Sequence, residues 1–588
     1  NVVMSETSEI TAVDGNIRIA VSEDLFVGRI ATAADLSLIA RDITDTAGTA
    51  EDLAADNLRI SATGQVGTLQ TTVNAMAARA DGLFLINSQT LTVRTVPDIS
   101  VNRLTADLSD PSDLTDAALS EILSSGAVVL VAESGDLITE SSGRIEAAGN
   151  LLLEAARDVR NEADVVSTGG HLSVDAGRDL LQDADFRTQT AGGTIAVLAG
   201  RDITQTDGVV SRTTNGNIRY EADGILTVAS LDAGSAAISL IASSILDGGD
   251  ADADLIAGTL RMTATLGIGH DGTNVNALDT RVGVLTATSG IHGLYLNEFD
   301  ALTLDRIGHL TFSRVSRTGS SAEFSDAERE DVISSGAVNI AADSFLLLPG
   351  ITITVIDAEG GVTLLARDGD IDLRGVINGH ANAVQMEASE DILFSSAAEV
   401  LTDEANVLLA AGGAVTMDSG SAIRSQDGNV TLLAQGDVRV SFIDAADGNV
   451  LISSALGAIL DNQTPADADN ILAAELTLAA AQGVGTAANA LEFNVSTVSG
   501  IVNQGGLYLR DSGSVSAGGL TALNGGNLVL RAEGSLTLTS TVAAAGAGNI
   551  HLAALSGTLT TGTSVEAGSG AMTLSAHDDL TINGNLTA

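Results

Sequence analysis

The sequence predicts an all-β chain wound as a parallel β-helix, a β-solenoid of 21–23-residue rungs carrying small loop or helix insertions. Three observations lead there. A short strand unit returns at nearly constant spacing, a longer repeat of about 210 residues carries it, and the apolar content is almost wholly small and aliphatic.

The short unit reads GNLLLEAARD at 149–158, GHLSVDAGRD at 170–179, GTIAVLAGRD at 193–202 and GNIRYEADG at 216–224. Its leading glycines, Gly149, Gly170, Gly193 and Gly216, are spaced by 21, 23 and 23 residues. The unit returns at 361–370, 428–437 and 448–453, and again from Gly526, Gly548 and Gly570. Residues alternate within it. Leu172 and Val174 face one way and Ser173 and Asp175 the other, the period-2 pattern of a strand with one wet face. A five-residue strand returning every 21–23 residues leaves no room for a packed helix, so each unit is one rung of a solenoid. Single rungs cannot bury their inner faces; stacked rungs bury them together. Leu172, Val174, Ile195, Val197, Ile218 and Tyr220 are the expected inward residues.

The long repeat aligns DAALSEILSSGAV (116–128) with DAEREDVISSGAV (326–338), an offset of 210. It also aligns AISLIASSILD (237–247) with NVLISSALGAILD (449–461), and LIAGTLRMTATLGIG (255–269) with ILAAELTLAAAQGVG (471–485). GLFLINSQTLTV (82–93), GLYLNEFDALTL (293–304) and GLYLRDSGSVSA (506–517) line up as well. The expected organisation is a partial module at 1–112, modules at 113–322 and 323–520, and the start of another at 521–588. No Pro- or Ser-rich linker separates them, which reads as one continuous rod. About 25 rungs at ~4.8 Å would make it ~120 Å long. One element departs from the strand pattern. Ser325 followed by Glu328 resembles a capping box, and SDLTDAALSEIL (112–123) places Leu114, Leu119 and Ile122 apolar, so a short helix is expected at each position.

Composition narrows the function. Apolar residues are 45% of the 588, yet aromatics are 2% and Trp is absent, so the core is Ala, Val, Ile and Leu. Gly reaches 63 against 4 Pro, so turns are made by glycine. Without Cys there is neither disulfide nor thiolate metal site. Lys is absent, every basic residue is Arg, and the formal net charge is −49. That excludes a general nucleic-acid binder, which needs basic surface to displace phosphate counterions. It fits a secreted protein kept soluble by self-repulsion, or one that collects divalent cations. No apolar stretch is long enough to span a bilayer, and no signal peptide opens the chain. Asn1 begins in mid-pattern and NGNLTA stops inside a repeat, so both ends read as cuts in a longer polypeptide.

The G-N-[LIV]-x-[LIV]-x-A-x-R-D rungs, joined to D-x-x-x-A-x-L-x-L-x-A-x-x-G-[IV]-G blocks, resemble the filamentous haemagglutinin type of giant bacterial surface adhesin. The resemblance covers nearly the whole chain. It implies a right-handed β-helix, secretion to the bacterial cell surface, and roles in adhesion, aggregation or biofilm.

Five features invite a chemical reading. GIGHDG (267–272) fits a GxGxxG fingerprint, but that motif needs a following helix at the pyrophosphate, and its repeat copy GVGTAA (483–488) reads as a solenoid turn. His577, Asp578 and Asp579 offer a histidine beside two carboxylates, as in β-helix glycosidases, which need two carboxyls at a set separation. They occupy the rung slots held elsewhere by Arg178 and Asp179, or Arg201 and Asp202, and that position accounts for them. The Arg-Asp pairs read first as turn aspartates bonding their own backbone, with an inter-rung ion-pair ladder as the alternative. N-x-T/S sequons, among them Asn429 at the head of a rung, read as chance. The acidic stretch DGGDADAD is the best candidate for chemistry: Asp247, Asp250, Asp252 and Asp254 could offer several oxygens to one Ca²⁺, which takes six to eight. The spacing fits neither known calcium-loop pattern, so the stretch reads first as a solvated acidic loop, and calcium is the one cofactor the sequence raises.

The expected function is a non-enzymatic structural or adhesive rod segment of an extracellular bacterial surface protein. Its partners would be host or neighbouring-cell surfaces or matrix polymers, with self-association into fibres. A cation-dependent surface-layer or matrix component is the alternative. A β-helix polysaccharide-active enzyme ranks below both, since Tyr220, Tyr295, Tyr508 and ten Phe supply few sugar platforms.

Overall fold

The computed structural model describes residues 1–588 except 47, 49, 104–111, 250, 271, 274, 351–352 and 465–467. The described chain is all-β and has no helix; it forms a parallel β-solenoid of about 26 turns at a spacing of about 22 residues. It divides into two compact units, one of Asn1–Val282 with Ile307–Arg329 and one of Gly283–Arg306 with Glu330–Ala588.

A rung of the first unit holds three strands. Leu172–Ala176, Leu180–Gln182 and Phe186–Ala191 make one turn, and Ile195–Ala199, Ile203–Gln205 and Ser211–Thr214 make the next. Each strand pairs in parallel with its counterpart one rung on: Leu172 with Ile195, Leu180 with Ile203 and Phe186 with Ser211. Because side chains alternate across a strand, register stacks like upon like. Leu151, Leu172, Ile195 and Ile218 form one inward column, and Leu153, Val174, Val197 and Tyr220 the next. The six residues expected inside are each at most 1% exposed. Burying aliphatic side chains is worth roughly 25 cal/mol per Å², and the repetition of the column, not any single contact, supplies the core.

The motif residues have inter-rung roles. The leading glycines stack where backbones meet: a Cβ on Gly216 would lie 2.0 Å from the Gly193 carbonyl oxygen, and one on Gly193 2.7 Å from that of Gly170. The following asparagine accepts the backbone N–H one rung on. Asn406 Oδ1 takes Asn429 N–H at 2.9 Å, and Asn429 Oδ1 takes Asn449 N–H at 2.9 Å. Asn429 is thus a rung asparagine.

The second unit follows the same grammar. Val338, Val362, Val384, Val407, Val430 and Val450 form one inward column in parallel register.

The two expected helices are strands. Ser112–Asp116 pairs antiparallel with Ile99–Arg103, and Ser321–Asp326 with Leu310–Val315. Cross-strand pairing explains the difference. Ser325 faces Thr311 with hydroxyls 3.1 Å apart, and Ser100 faces Thr115 at 2.7 Å, so the would-be helix-capping hydroxyl points across a hairpin. Leu119 pairs with Val96 in a small cluster with Ala77 and Ile99, and Ile122 opens the next rung. The apolar spacing that suggested a helix face serves two separate contacts.

Candidate functional site

The acidic stretch is only partly gathered. Asp250 lies outside the described residues. Asp247 accepts Gly249 N–H at 2.7 Å and the side-chain amide of Asn276. Asp252 is exposed, whereas Asp254 is buried and takes the N–H of Asp279 at 2.8 Å. Among the described residues, no group of three or more His, Asp or Glu converges as a metal set.

Other sequence candidates sit at rung corners. His577 Nδ1 and Asp578 Oδ1 are 2.9 Å apart, both side chains more than half exposed, while the Asp579 carbonyl accepts the Leu559 N–H. Within GIGHDG, Gly269 has φ of 67° and His270 bridges to Val275; Asp271 lies outside the described residues. In GVGTAA, Val484 bridges in parallel to Ile459 and Leu507 as part of the ladder.

The Arg-Asp corner is an inter-rung ladder, not the local turn favoured from sequence. Arg178 Nε donates to Asp158 at 2.7 Å and Arg201 Nε to Asp179 at 2.7 Å, each reaching the rung before. Asp158 Oδ1 also accepts Asp179 N–H, and Asp179 Oδ1 accepts Asp202 N–H, both at 3.3 Å. The Arg178 bond holds the Asp158 carboxyl below the usual range against its desolvation. Corners of this kind bind rung to rung from outside.

Sequence reasoning missed the hairpins, which strap the outer face of the first unit. Arg18, Ser37 and Arg59 stack in register on three successive rungs, and so do Arg219, Ser239 and Arg261. A hairpin aspartate enters each set. Asp116 accepts two bonds from Arg18, both 2.9 Å, and one from the Ser37 hydroxyl at 2.6 Å. Asp326 accepts Arg219 Nε at 3.2 Å and the Ser239 hydroxyl at 2.6 Å, with Arg261 at 3.4 Å. Burial raises the Asp116 carboxyl, but Arg18 and Ser37 outweigh it and hold it below its ordinary range. The second hairpin continues across the face. Val315 packs with Val129, Val131 and Leu152, its N–H meets Ser173 Oγ at 2.9 Å, and Ser313 N–H meets Thr194 Oγ1 at 3.1 Å. Ser173, expected outward and wet, is buried by this strap. A signal existed in the sequence: the 210-residue alignment begins on Asp116 and Asp326 themselves.

The second unit presents the same rung face differently. Thr431, Leu451 and Thr477 stand in register where the other copies have Arg, Ser and Arg, and GLYLRDSGSVSA leads into Leu528–Ala532 with no hairpin between. Beside them, Leu365, Glu387, Ala410, Leu433 and Ser453 form one outward row. They line an open groove of about 670 Å³. Leu365 and Leu433 are each 38% exposed.

Comparison with protein-family models, curated proteins and solved structures finds no match. What stands is a β-helix repeat protein with a strapped face in one unit and a bare, apolar-lined face in the other. No helix among the described residues is long and apolar enough to cross a membrane.

Proposed function

We propose that the chain is a structural and adhesive rod segment of an extracellular bacterial surface protein of the filamentous haemagglutinin type, acting without catalysis. The observation that carries this reading is the bare face of the second unit. Its rungs have lost both the hairpin and the Arg-Ser-Arg column that would clamp one, and Leu365 and Leu433 stand open in a groove whose charged lining residues are Arg367 and Glu387. Exposed leucines in a groove that also carries Glu387 and Arg367 suit attachment to a polymer or another cell surface. The parallel ladder beneath it supplies a stiff support, and a charge of −49 keeps the chain soluble.

Beads coated with the protein, passed over bacterial cells and over films of matrix polymer, test the reading. Wild-type beads should be retained. The double variant Leu365→Asp/Leu433→Asp should lose retention several-fold while melting normally, because both positions face water. Wild-type retention no greater than that of beads carrying an unrelated acidic protein would overturn the reading.

A further inference from the structure

One rung position recurs three times with different chemistry. Asp52, Asp254 and Asn470 each precede the first residue of a strand, Leu53, Leu255 and Ile471. All three share one backbone frame: their carbonyls accept Ile30, Leu231 and Ile443 N–H, and their own N–H groups donate to Gln70, Asp279 and Glu492. One side-chain oxygen of each takes the N–H of that same next-rung residue, at 2.7, 2.8 and 3.0 Å. At Asn470 the other side-chain atom is an amide nitrogen. It donates to Asp461 Oδ1 at 2.6 Å and points at the carbonyls of Val440 and Ser441 at 3.1 and 3.2 Å.

Asp52 has an oxygen in that place. The residue is 0% exposed, its Oδ1 meets no donor, and the Asp45 carboxylate lies within hydrogen-bonding reach. Asp45 is the register counterpart of Asp461: Val27 pairs with Asp45 as Val440 pairs with Asp461. Two ionised carboxylates cannot face each other in a buried site at modest cost. A carboxylic acid there donates as an amide does.

We infer that Asp52 is a protonated carboxylic acid that donates to Asp45, doing in this rung what the Asn470 amide does for Asp461, and that it makes this corner a pH-sensitive joint. The surroundings agree. Burial first, then Asp45 and Glu51, push Asp52 up to about 8 against the Gln70 N–H, which favours the anion. Glu51 is itself paired with Arg29 at 2.8 Å, so Arg29 is occupied there. A folded value raised above the unfolded one means stability that is complete below about 4 and lost as pH climbs through about 8.

The test compares melting temperatures of the full chain and Asp52→Asn from pH 5 to pH 9, with Asn470→Asp as the reciprocal variant. The wild type should lose several degrees over this range relative to Asp52→Asn, and Asn470→Asp should lose more than the wild type. Parallel curves for wild type and Asp52→Asn would overturn the inference. So would a melting temperature at pH 8 that millimolar CaCl₂ raises in the wild type, beyond matched NaCl, but not in Asp52→Asn, since the carboxylates would then hold a cation in place of a proton.

Discussion

Asp116 accepts both Nε and Nη2 of Arg18 at 2.9 Å, across 98 residues of sequence, and takes the Ser37 hydroxyl on the next rung besides. One hairpin carboxylate thereby ties two rungs to a strand pair that belongs to neither. Asp326 repeats the arrangement with Arg219, Ser239 and Arg261.

Removing that carboxylate should free the strap. Asp116→Ala leaves Arg18 half-sheltered without its partner, a loss of about 3 kcal/mol when a buried pair is broken. Hydrogen exchange should accelerate in Ile99–Arg103 and Ser112–Asp116 while the inward columns of the rungs stay protected. Unchanged exchange in the hairpin would show that the clamp is dispensable.

The core columns should be far less tolerant than the outer rows. Leu172→Asp places an unpaired charge between Leu151 and Ile195 and should cost about 3–5 kcal/mol or more. Thr363→Asp, on the outward row of the second unit, should shift stability by less than about 0.5 kcal/mol. Denaturant melts that rank the two the other way would contradict the register.

Stability should peak on the acidic side of neutrality. Burial pushes Asp511 up to about 6, so its contribution is complete below about 4 and is lost as pH rises through about 6. The Asp158 carboxyl is depressed by Arg178, so its contribution is present above about 4 and lost as pH falls below its folded value. A melting temperature highest near pH 4 and falling from there through about pH 6 is expected, with that fall smaller in Asp511→Asn. A profile still rising from pH 6 to 8 would count against the buried Asp511 carboxyl.

Salt should stabilise the chain by screening its net −49 charge. Ca²⁺ and NaCl at matched ionic strength should act alike, because Asp247 and Asp254 already accept Gly249, Asn276 and Asp279 donors. An additional Ca²⁺ shift that disappears in Asp252→Asn would establish the acidic stretch as a cation site.

The rung was legible because alternation and glycine spacing report directly on a period-2 strand and a close backbone approach. Leu172, Val174 and Gly193 needed no tertiary knowledge. The hairpins were not, because short antiparallel strands carry little apolar pattern of their own and take their stability from distant partners. Leu114, Leu119 and Ile122 sit at spacings that a helix also allows, and only the meeting of Asp116 with Arg18 separates the two. The corner aspartates were ambiguous for a related reason: a local turn and an inter-rung bond ask for the same residue at the same place. The bare face of the second unit was written in the missing insertion after GLYLRDSGSVSA, visible only by comparing copies.

Distance between outward positions of one column tests the solenoid account most directly. Asn339, Thr363, Gln385, Leu408 and Thr431 follow one another in parallel register, so Asn339 and Thr431 are four rungs apart though 92 residues separate them. Spin labels at these two positions should give one narrow dipolar distance near ~19 Å, four steps of about 4.8 Å. A broad distribution, or a mean beyond about 30 Å, would contradict the stacked register on which the scaffold, its straps and its bare face all depend.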